Sequence, residues 1–268
     1  MNNQPSVLLM GTKAGAVIAL EKLIESNFFI KGVVVPADYD SSWQSKPTLE
    51  ERAKQNGIPV YFGQADVPLE KVDYVISYMY RHLVKDKLLK LAQKGAINFH
   101  PAPLPEFGGF AFYNLAIIEE SPFYGCSCHH MDSSFDTGDI VKVRTFGINP
   151  GVETAYSLER KTQVEMLKLF DDVIHFIKND NELPSIPQDK TRHRYLTRHE
   201  FEALKVISKS MSNSEIQKFA RAFWYPPYTS AIMLSEANEK VSIVPECVLK
   251  ELALLLHRKD FEYLRASI

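Results

Sequence analysis

"SVLLMGTKAGAVIALEKLIES", residues 6 to 26, decides the fold. An apolar run of strand length, Val7 to Met10, meets a turn at Gly11 and Thr12. The residues beyond the turn carry their apolar side chains at helical spacing. Strand, glycine turn and amphipathic helix open an α/β unit. The pattern then repeats. "IKGVVVPAD" (30–38) is a second apolar run and "KPTLEERAKQNG" (46–57) a polar helix. "IPVYF" (58–62) and "VDYVISYMY" (72–80) are strands, and "KDKLLKLAQKG" (85–95) reads as a helix stopped by Gly95. A strand through Ile97 to His100 follows. This alternation predicts an α/β fold with a mostly parallel sheet covered by helices on both faces.

Further along, a long helix is predicted from Thr154 to about Lys178, with Leu167, Phe170, Ile174 and Ile177 at helical spacing. "NDNELPSIPQDKTRHR" (179–194) is polar and proline-containing, as a linker would be. "SNSE" at 212 to 215 has capping-box spacing and opens a helix ending at the aromatic run "AFWYPPY". A hairpin over Ser230 to Val244 and a last helix complete the chain. The expected division is a main domain over 1–188 and a small C-terminal subdomain over 189–268.

Charge and cysteine content narrow the functional classes. With 31 Lys+Arg against 33 Asp+Glu in 268 residues, the formal charge of -2 gives no support for binding nucleic acid or an anionic membrane. The Met-Asn-Asn-Gln-Pro start lacks the charged and apolar regions of a signal peptide, so a cytoplasmic location is expected. Cys126, Cys128 and His130 in "CSCHH" would share one strand face as metal ligands. One short strand is a poor chelating scaffold, so buried cysteines and no metal are expected. "GTKAGA" lacks the GxGxxG spacing of a dinucleotide site. Its turn can still hold an anion on backbone N–H groups, which makes Gly11 and Thr12 candidates for substrate contact.

Sheets of this class bind ligands beyond the carboxyl ends of their strands. "INFHPAPLPEFGG" (97–109) sits at such an end. Alternation with Ile97 and Phe99 puts Asn98 and His100 on one face. Pro101, Pro103 and Pro105 then stiffen the exit. "HHMDSSFDTGDIV" (129–141) adds Asp136 in a Phe-Asp-Thr-Gly turn. Each of the three alone reads equally as a strand-end or turn residue. Together they supply an amide donor, an imidazole and a carboxylate on rigid supports.

With "NFHPAPLP" (98–105), Gly108-Gly109, "MDSSFDTGDI" (131–140) and "SYMYRHLV" (77–84), the sequence resembles the folate-dependent formyltransferase family, closely over roughly residues 73 to 145. The resemblance implies a Rossmann-like sheet, 10-formyltetrahydrofolate as formyl donor, a primary amine as acceptor, and Asn98, His100 and Asp136 as catalytic trio. It places the pterin against Arg81, Leu83 and Asp136, with Tyr78, Met79, Tyr80 and Asp132 added by adjacency. His129 matches a position often histidine in relatives and supports the aspartate turn, whereas His130 is a plain strand residue. Among the family's branches, "FAFYNLAII" (110–118) and "RAFWYPPYTSA" (221–231) are similar to the sugar-nucleotide enzymes. Phe110, Trp224 and Tyr225 are therefore expected at the substrate, a nucleotide-linked amino sugar of dTDP type. Packing of the C-terminal part explains Trp224 and Tyr225 equally well. A homodimer and a place in surface-polysaccharide (O-antigen) synthesis are implied by the same analogy. The alternatives are methionyl-tRNA formylation, marked by salt-dependent RNA binding, and a binding module without turnover, marked by loss of one of the trio.

Overall fold

The computed structural model describes residues 4–38, 42, 44–109, 112–179, 181–236 and 238–266. Along the chain run β1 (Ser6–Gly11), α1 (Lys13–Glu25), β2 (Phe29–Val35), α2 (Leu49–Gln55), β3 (Val60–Phe62), β4 (Val72–Tyr78), α3 (Asp86–Leu89) and β5 (Ala92–His100). Next come β6 (Gly108–Gly109), α4 (Phe112–Ile118), β7 (Phe123–His130), β8 (Ile140–Gly147) and α5 (Ala155–Lys178). The last part holds β9 (Tyr195–Leu196), α6 (Arg198–Leu204), β10 (Val206–Ile207), α7 (Asn213–Ala222), β11 (Ile232–Leu234), β12 (Lys240–Ser242) and α8 (Glu246–Ala266).

Seven strands form the main sheet in the order β3-β2-β1-β4-β5-β7-β8. The pairings from β3 to β5 are all parallel, and β7 runs antiparallel to β5. The expected mostly parallel α/β sheet is present. Both of its faces are covered, which explains why β1, β2 and β4 are nearly continuous apolar runs. On one face Val7, Leu9, Ile76, Tyr78, Ile97 and Phe99 pack against Leu20 and Leu23 of α1 and Met166, Phe170 and Ile174 of α5. On the other, Leu8, Met10, Val34 and Val75 meet Val67, Val84, Leu88 and Leu91. The chain moves outward from β1 in one direction through β2 and β3, then returns to place β4 and β5 on the other side. The topological switch point therefore lies at the carboxyl ends of β1 and β4.

One predicted helix is much shorter than its pattern. α3 ends at Leu89 and β5 already begins at Ala92, so Gly95 lies inside a strand and stops no helix. A Cβ at Gly95 would come within 3.3 Å of Leu183 and 3.4 Å of the Tyr74 ring, so close packing explains the glycine. The supposed linker also has partners. Ile186 exchanges backbone hydrogen bonds with Ile140, and Leu183 is buried in the core. α6 is a further helix, and it starts on a complete capping box formed by Thr197 and Glu200.

Two compact units emerge. The first comprises 1–109, 123–146 and 160–195, and the second comprises 110–122, 147–159 and 196–268. Within the second, α7 starts on the Ser212–Glu215 capping box. It is joined to α4 by Asn114 Nδ2, which donates to the Ala222 carbonyl at 2.6 Å. β11 and β12 form the expected hairpin, extended by β10 into a three-stranded sheet.

Candidate active site

All the catalytic candidates fall in the first unit, around the carboxyl end of β5. Register explains how they meet. Asn98 stands opposite His129 and His100 opposite Ser127 across the antiparallel β5–β7 pair, so the polar residues of both strands share one face. Ile97, Phe99, Cys126 and Cys128 point the other way, into the core. The Cys128 thiol is pushed up strongly by burial, and that of Cys126 to about 12 for the same reason. These are inert core cysteines. His130 joins the Pro184 carbonyl through Nε2 at 2.9 Å.

Beyond His100 the chain is pinned from β7. Tyr124 donates to the Pro101 carbonyl at 3.1 Å. The Ser127 hydroxyl donates to Ala102 O and accepts from Leu104 N, both at 2.9 Å. These contacts carry the loop back so that Phe107 to Gly109 lie over the strand end. There the Phe107 carbonyl is 2.8 Å from His100 Nε2. Gly109, at φ 73, turns its N–H onto Asp136 Oδ2 at 3.2 Å. Only glycine adopts that φ without strain.

Asp136 itself has φ 57, tolerable for an aspartate in a tight turn. Its turn closes against β7, where a Cβ on Gly138 would sit 2.0 Å from the His130 carbonyl oxygen. Asp136 Oδ1 then lies 3.4 Å from His100 Nδ1 and 3.6 Å from His129 Nε2. Asn98 Nδ2 is 3.1 Å from the same His129 nitrogen, whose ring is fixed by Nδ1 at 2.7 Å from the His130 carbonyl. Asn98, His100, His129 and Asp136 thus form one cluster. Burial would raise the Asp136 carboxyl, but the facing imidazoles of His100 and His129 and the Gly109 N–H hold it well below the usual carboxylate range. Burial lowers the His100 imidazole, and the Asp136 charge only partly offsets this. Near neutral pH the pair is a carboxylate beside a neutral imidazole.

The other predicted residues divide clearly. Met79, Tyr80, Arg81 and Leu83 follow β4 at the switch point. Met79 takes φ 55, its carbonyl accepts from Thr12 Oγ1 at 3.3 Å, and Gln163 Nε2 reaches its sulfur. Arg81 pairs with Asp38 at 2.6 Å. The hydrogen bond from Arg81, then the one from His82, hold the Asp38 carboxyl at about 2. Leu83 is partly exposed, and the Tyr80 side chain is nearly buried. Three of the expected residues also have structural places. The Tyr78 side chain is fully buried, stacked on Phe99 and edge-on to Phe170, so only its backbone can meet a ligand. Asp132 spends both carboxylate oxygens on Ser134 N and Thr137 Oγ1, as a turn former. Gly11 is required by packing, since a Cβ would lie 2.7 Å from Ala16 Cβ and 2.9 Å from the Tyr78 carbonyl oxygen. Phe110 lies outside the described residues. Trp224 and Tyr225 belong to the second unit. There the Trp224 carbonyl accepts from Tyr156 N at 3.0 Å, and the Tyr225 ring meets Tyr156 edge-on.

The sequence reading gave His129 only a supporting place and missed Phe107 O, Gly109 N–H and Gln188. Alternation held the signal for His129: if Cys126 and Cys128 face the core, His129 must face the side of Asn98. Among the described residues no cluster of three His, Cys, Asp or Glu side chains has the geometry to hold a metal ion. No described helix is long and apolar enough to cross a membrane.

This is an α/β protein with a mostly parallel sheet, and the amide, two imidazoles and buried carboxylate at its carboxyl edge are groups that can carry acid–base chemistry. The sequence model of the formyl transferase family matches residues 43–174 of this chain. It is 32% identical over 173 residues to GDP-perosamine N-formyltransferase of Brucella melitensis, covering 65% of this chain and 64% of that protein. It is 26% identical over 226 residues to methionyl-tRNA formyltransferase of Clostridioides difficile, covering 80% and 70%. The N-formyltransferase of Helicobacter canadensis, solved with folinic acid and dTDP-3-aminofucose, superposes with a TM-score of 0.70 at 23% identity, over 84% of this chain and 82% of that one. The chain thus spans just under two thirds of the Brucella relative.

Proposed function

We propose that the protein transfers a formyl group from 10-formyltetrahydrofolate to the amine of a nucleoside-diphosphate amino sugar, with Asn98, His100 and Asp136 as catalytic residues. The single observation that carries this reading is the convergence of those three side chains at the end of β5. The donor supplies a formyl carbon on a nitrogen leaving group.

Attack by an amine puts negative charge on the formyl oxygen, so a fixed N–H aimed at it accelerates the step. Asn98 meets this need. One of its two amide hydrogens is taken by His129 Nε2, which locks the side chain, and the second remains for the oxygen. His100 has its Nε2 hydrogen committed to the Phe107 carbonyl, so Nδ1 is the nitrogen left for proton transfer. Nδ1 faces Asp136 across 3.4 Å, longer than a formed hydrogen bond. A proton from the attacking amine enters that gap, where the carboxylate stabilises it until the departing nitrogen takes one back. This favours a proton-acceptor role for His100 and leaves oxyanion stabilisation to Asn98.

Residues at the switch point suit the donor. Met79 and Leu83 offer apolar surface for a planar ring, and their backbone adds polar groups. The Arg81 guanidinium is paired with Asp38 and would exchange that partner for a folate carboxylate. The Helicobacter protein, solved with a folate and a dTDP-sugar, supports the dTDP carrier, whereas the Brucella relative favours GDP. The test is a screen of dTDP-, UDP- and GDP-linked amino sugars with the folate donor, scored by mass spectrometry for the added CO. Transfer on one carrier fixes the substrate, and transfer on none refutes the proposal.

Methionyl-tRNA as acceptor has one observation in its favour, the Clostridioides likeness over 80% of the chain. Against it, two basic residues of the 190–200 stretch are already engaged in the first unit: Arg192 pairs with Glu106, and Arg194 lies over the Phe107 ring. Salt-dependent tRNA binding would support this second reading.

A further inference from the structure

Residues 188–194 form a strap across the catalytic loop. Arg194 N donates to Pro105 O at 3.3 Å, and Arg194 O accepts from Gly108 N at 3.1 Å. Arg192 is tied to Glu106. At the other end of the strap, Gln188 Nε2 donates to the carbonyls of Asp136 and Gly138 at 2.8 and 2.7 Å. The strap thus holds the same two segments, Phe107 to Gly109 and Asp136 to Gly138, that grip His100 and Asp136.

Two of its side-chain atoms, Gln188 Oε1 and His193 Nε2, are buried with no hydrogen-bond partner. A buried polar atom left unpaired costs about 1–3 kcal/mol and calls for a partner from outside the chain or a functional role. The position of His193 Nε2 is specific. A point one bond off Gly108 Cα lies 3.4 Å from His193 Nε2 and 3.9 Å from Asp136 Cβ. Arg194 O lies 3.2 Å from the same point, so the imidazole packs over Gly108 beside the Asp136 turn. The residue is half-buried overall while Nε2 itself is buried, so the ring has to turn about its side-chain torsions to meet an incoming molecule.

We propose that His193 is an acceptor-positioning residue: its Nε2 hydrogen-bonds the amino sugar, at the amine or a neighbouring hydroxyl, and holds it beside Asp136. This inference rests on the formyl-transfer reading above and adds a residue to that site. A neutral ring serves as donor or acceptor, and an amide nitrogen of similar reach replaces it.

The test is a comparison of His193→Phe and His193→Gln with the unaltered enzyme, varying each substrate in turn. Phenylalanine keeps the ring over Gly108 but cannot hydrogen-bond. It should raise the acceptor KM about tenfold or more while the donor KM stays unchanged. Glutamine should recover most of that loss. If KM for the acceptor is unchanged in a folded, active His193→Phe enzyme, the assignment is wrong and the formyl-transfer reading stands. Equal rises in both KM values, or a loss not recovered by glutamine, would make His193 a packing residue and overturn the proposal. If the unaltered chain formylates no amino sugar, the functional reading fails and this inference falls with it.

Discussion

Replacing Asp136 with asparagine tests the site most directly. The change keeps size and an acceptor oxygen for Gly109 N–H, and removes one buried negative charge. The carboxylate lies 3.4 Å from His100 Nδ1. Two unit charges at that distance attract by about 5 kcal/mol at an effective dielectric constant near 20. That is an upper bound on what Asp136 contributes when His100 gains a proton. It corresponds to a loss of about 1000- to 10,000-fold in kcat, at the upper end of what a positioned proton relay contributes. Both KM values should change little, because neither ground-state substrate needs the charge. The depressed Asp136 pKa contributes stability at neutral pH, so the melting temperature should fall, and kcat is read well below it to separate lost chemistry from lost folding. Formylated product would be followed by mass spectrometry at saturating donor and acceptor. Because Asp136 also holds the His100 pKa up, the acid limb of the residual kcat/KM profile should move further down. An Asp136→Asn enzyme keeping more than about a tenth of kcat would refute the proton-relay argument.

Stability should fall on acidification for a related reason. The folded His100 pKa is depressed, so the unfolded chain takes up a proton below about pH 6.5 that the folded one refuses. Asp136 has a depressed pKa too, and its contribution is full above about pH 4 and lost as pH drops toward its folded value. Urea midpoints should therefore be lower at pH 5 than at pH 7, and His100→Asn should flatten the difference. His129→Phe removes the partner that locks Asn98, so kcat should drop about 10- to 100-fold with an unchanged donor KM; an unaltered kcat would dismiss the lock. Gly138→Ala drives a Cβ into the His130 carbonyl oxygen and should cost about 3 kcal/mol or more in urea unfolding, whereas a cost below about 1 kcal/mol would mean that the turn relaxes freely. Trp224→Ala should raise the nucleotide-sugar KM about tenfold and spare that of the donor, if the ring stacks on the nucleotide; equal effects on both would assign it to packing.

Where one local pattern settled the matter, the sequence was readable. Val7 to Met10, the Gly11 turn and the helix after it reported a sheet covered on both faces, because burial on both sides leaves no polar positions to blur the run. α5 was equally clear: its apolar stripe extends over more than six turns. Lys85 to Gly95 misled because Leu88, Leu89 and Leu91 suit a helix, while the close neighbours of Gly95, Leu183 and the Tyr74 ring, are distant in sequence. Residues 179–194 misled for the same reason. Their polar composition resembles a linker, and only the fold brings Gln188 to the Asp136 turn and Arg194 to the Pro105 loop. Asn98, His100 and Asp136 stood out as residue types on stiff supports. His129 did not, since its role depends on the register of β7 against β5.

The interleaving of the two compact units bears on how this chain can be cut. Because the polypeptide passes from one to the other five times, at residues 109/110, 122/123, 146/147, 159/160 and 195/196, no single break frees either of them whole. A fragment ending near residue 188 would still contain α4, whose Leu115 and Ile117 are buried in the intact protein, but would lack α7, which packs against it. Chimaeras between relatives should therefore trade 110–122, 147–159 and 196–268 as a set, and a swap of the carboxyl-terminal portion alone should aggregate.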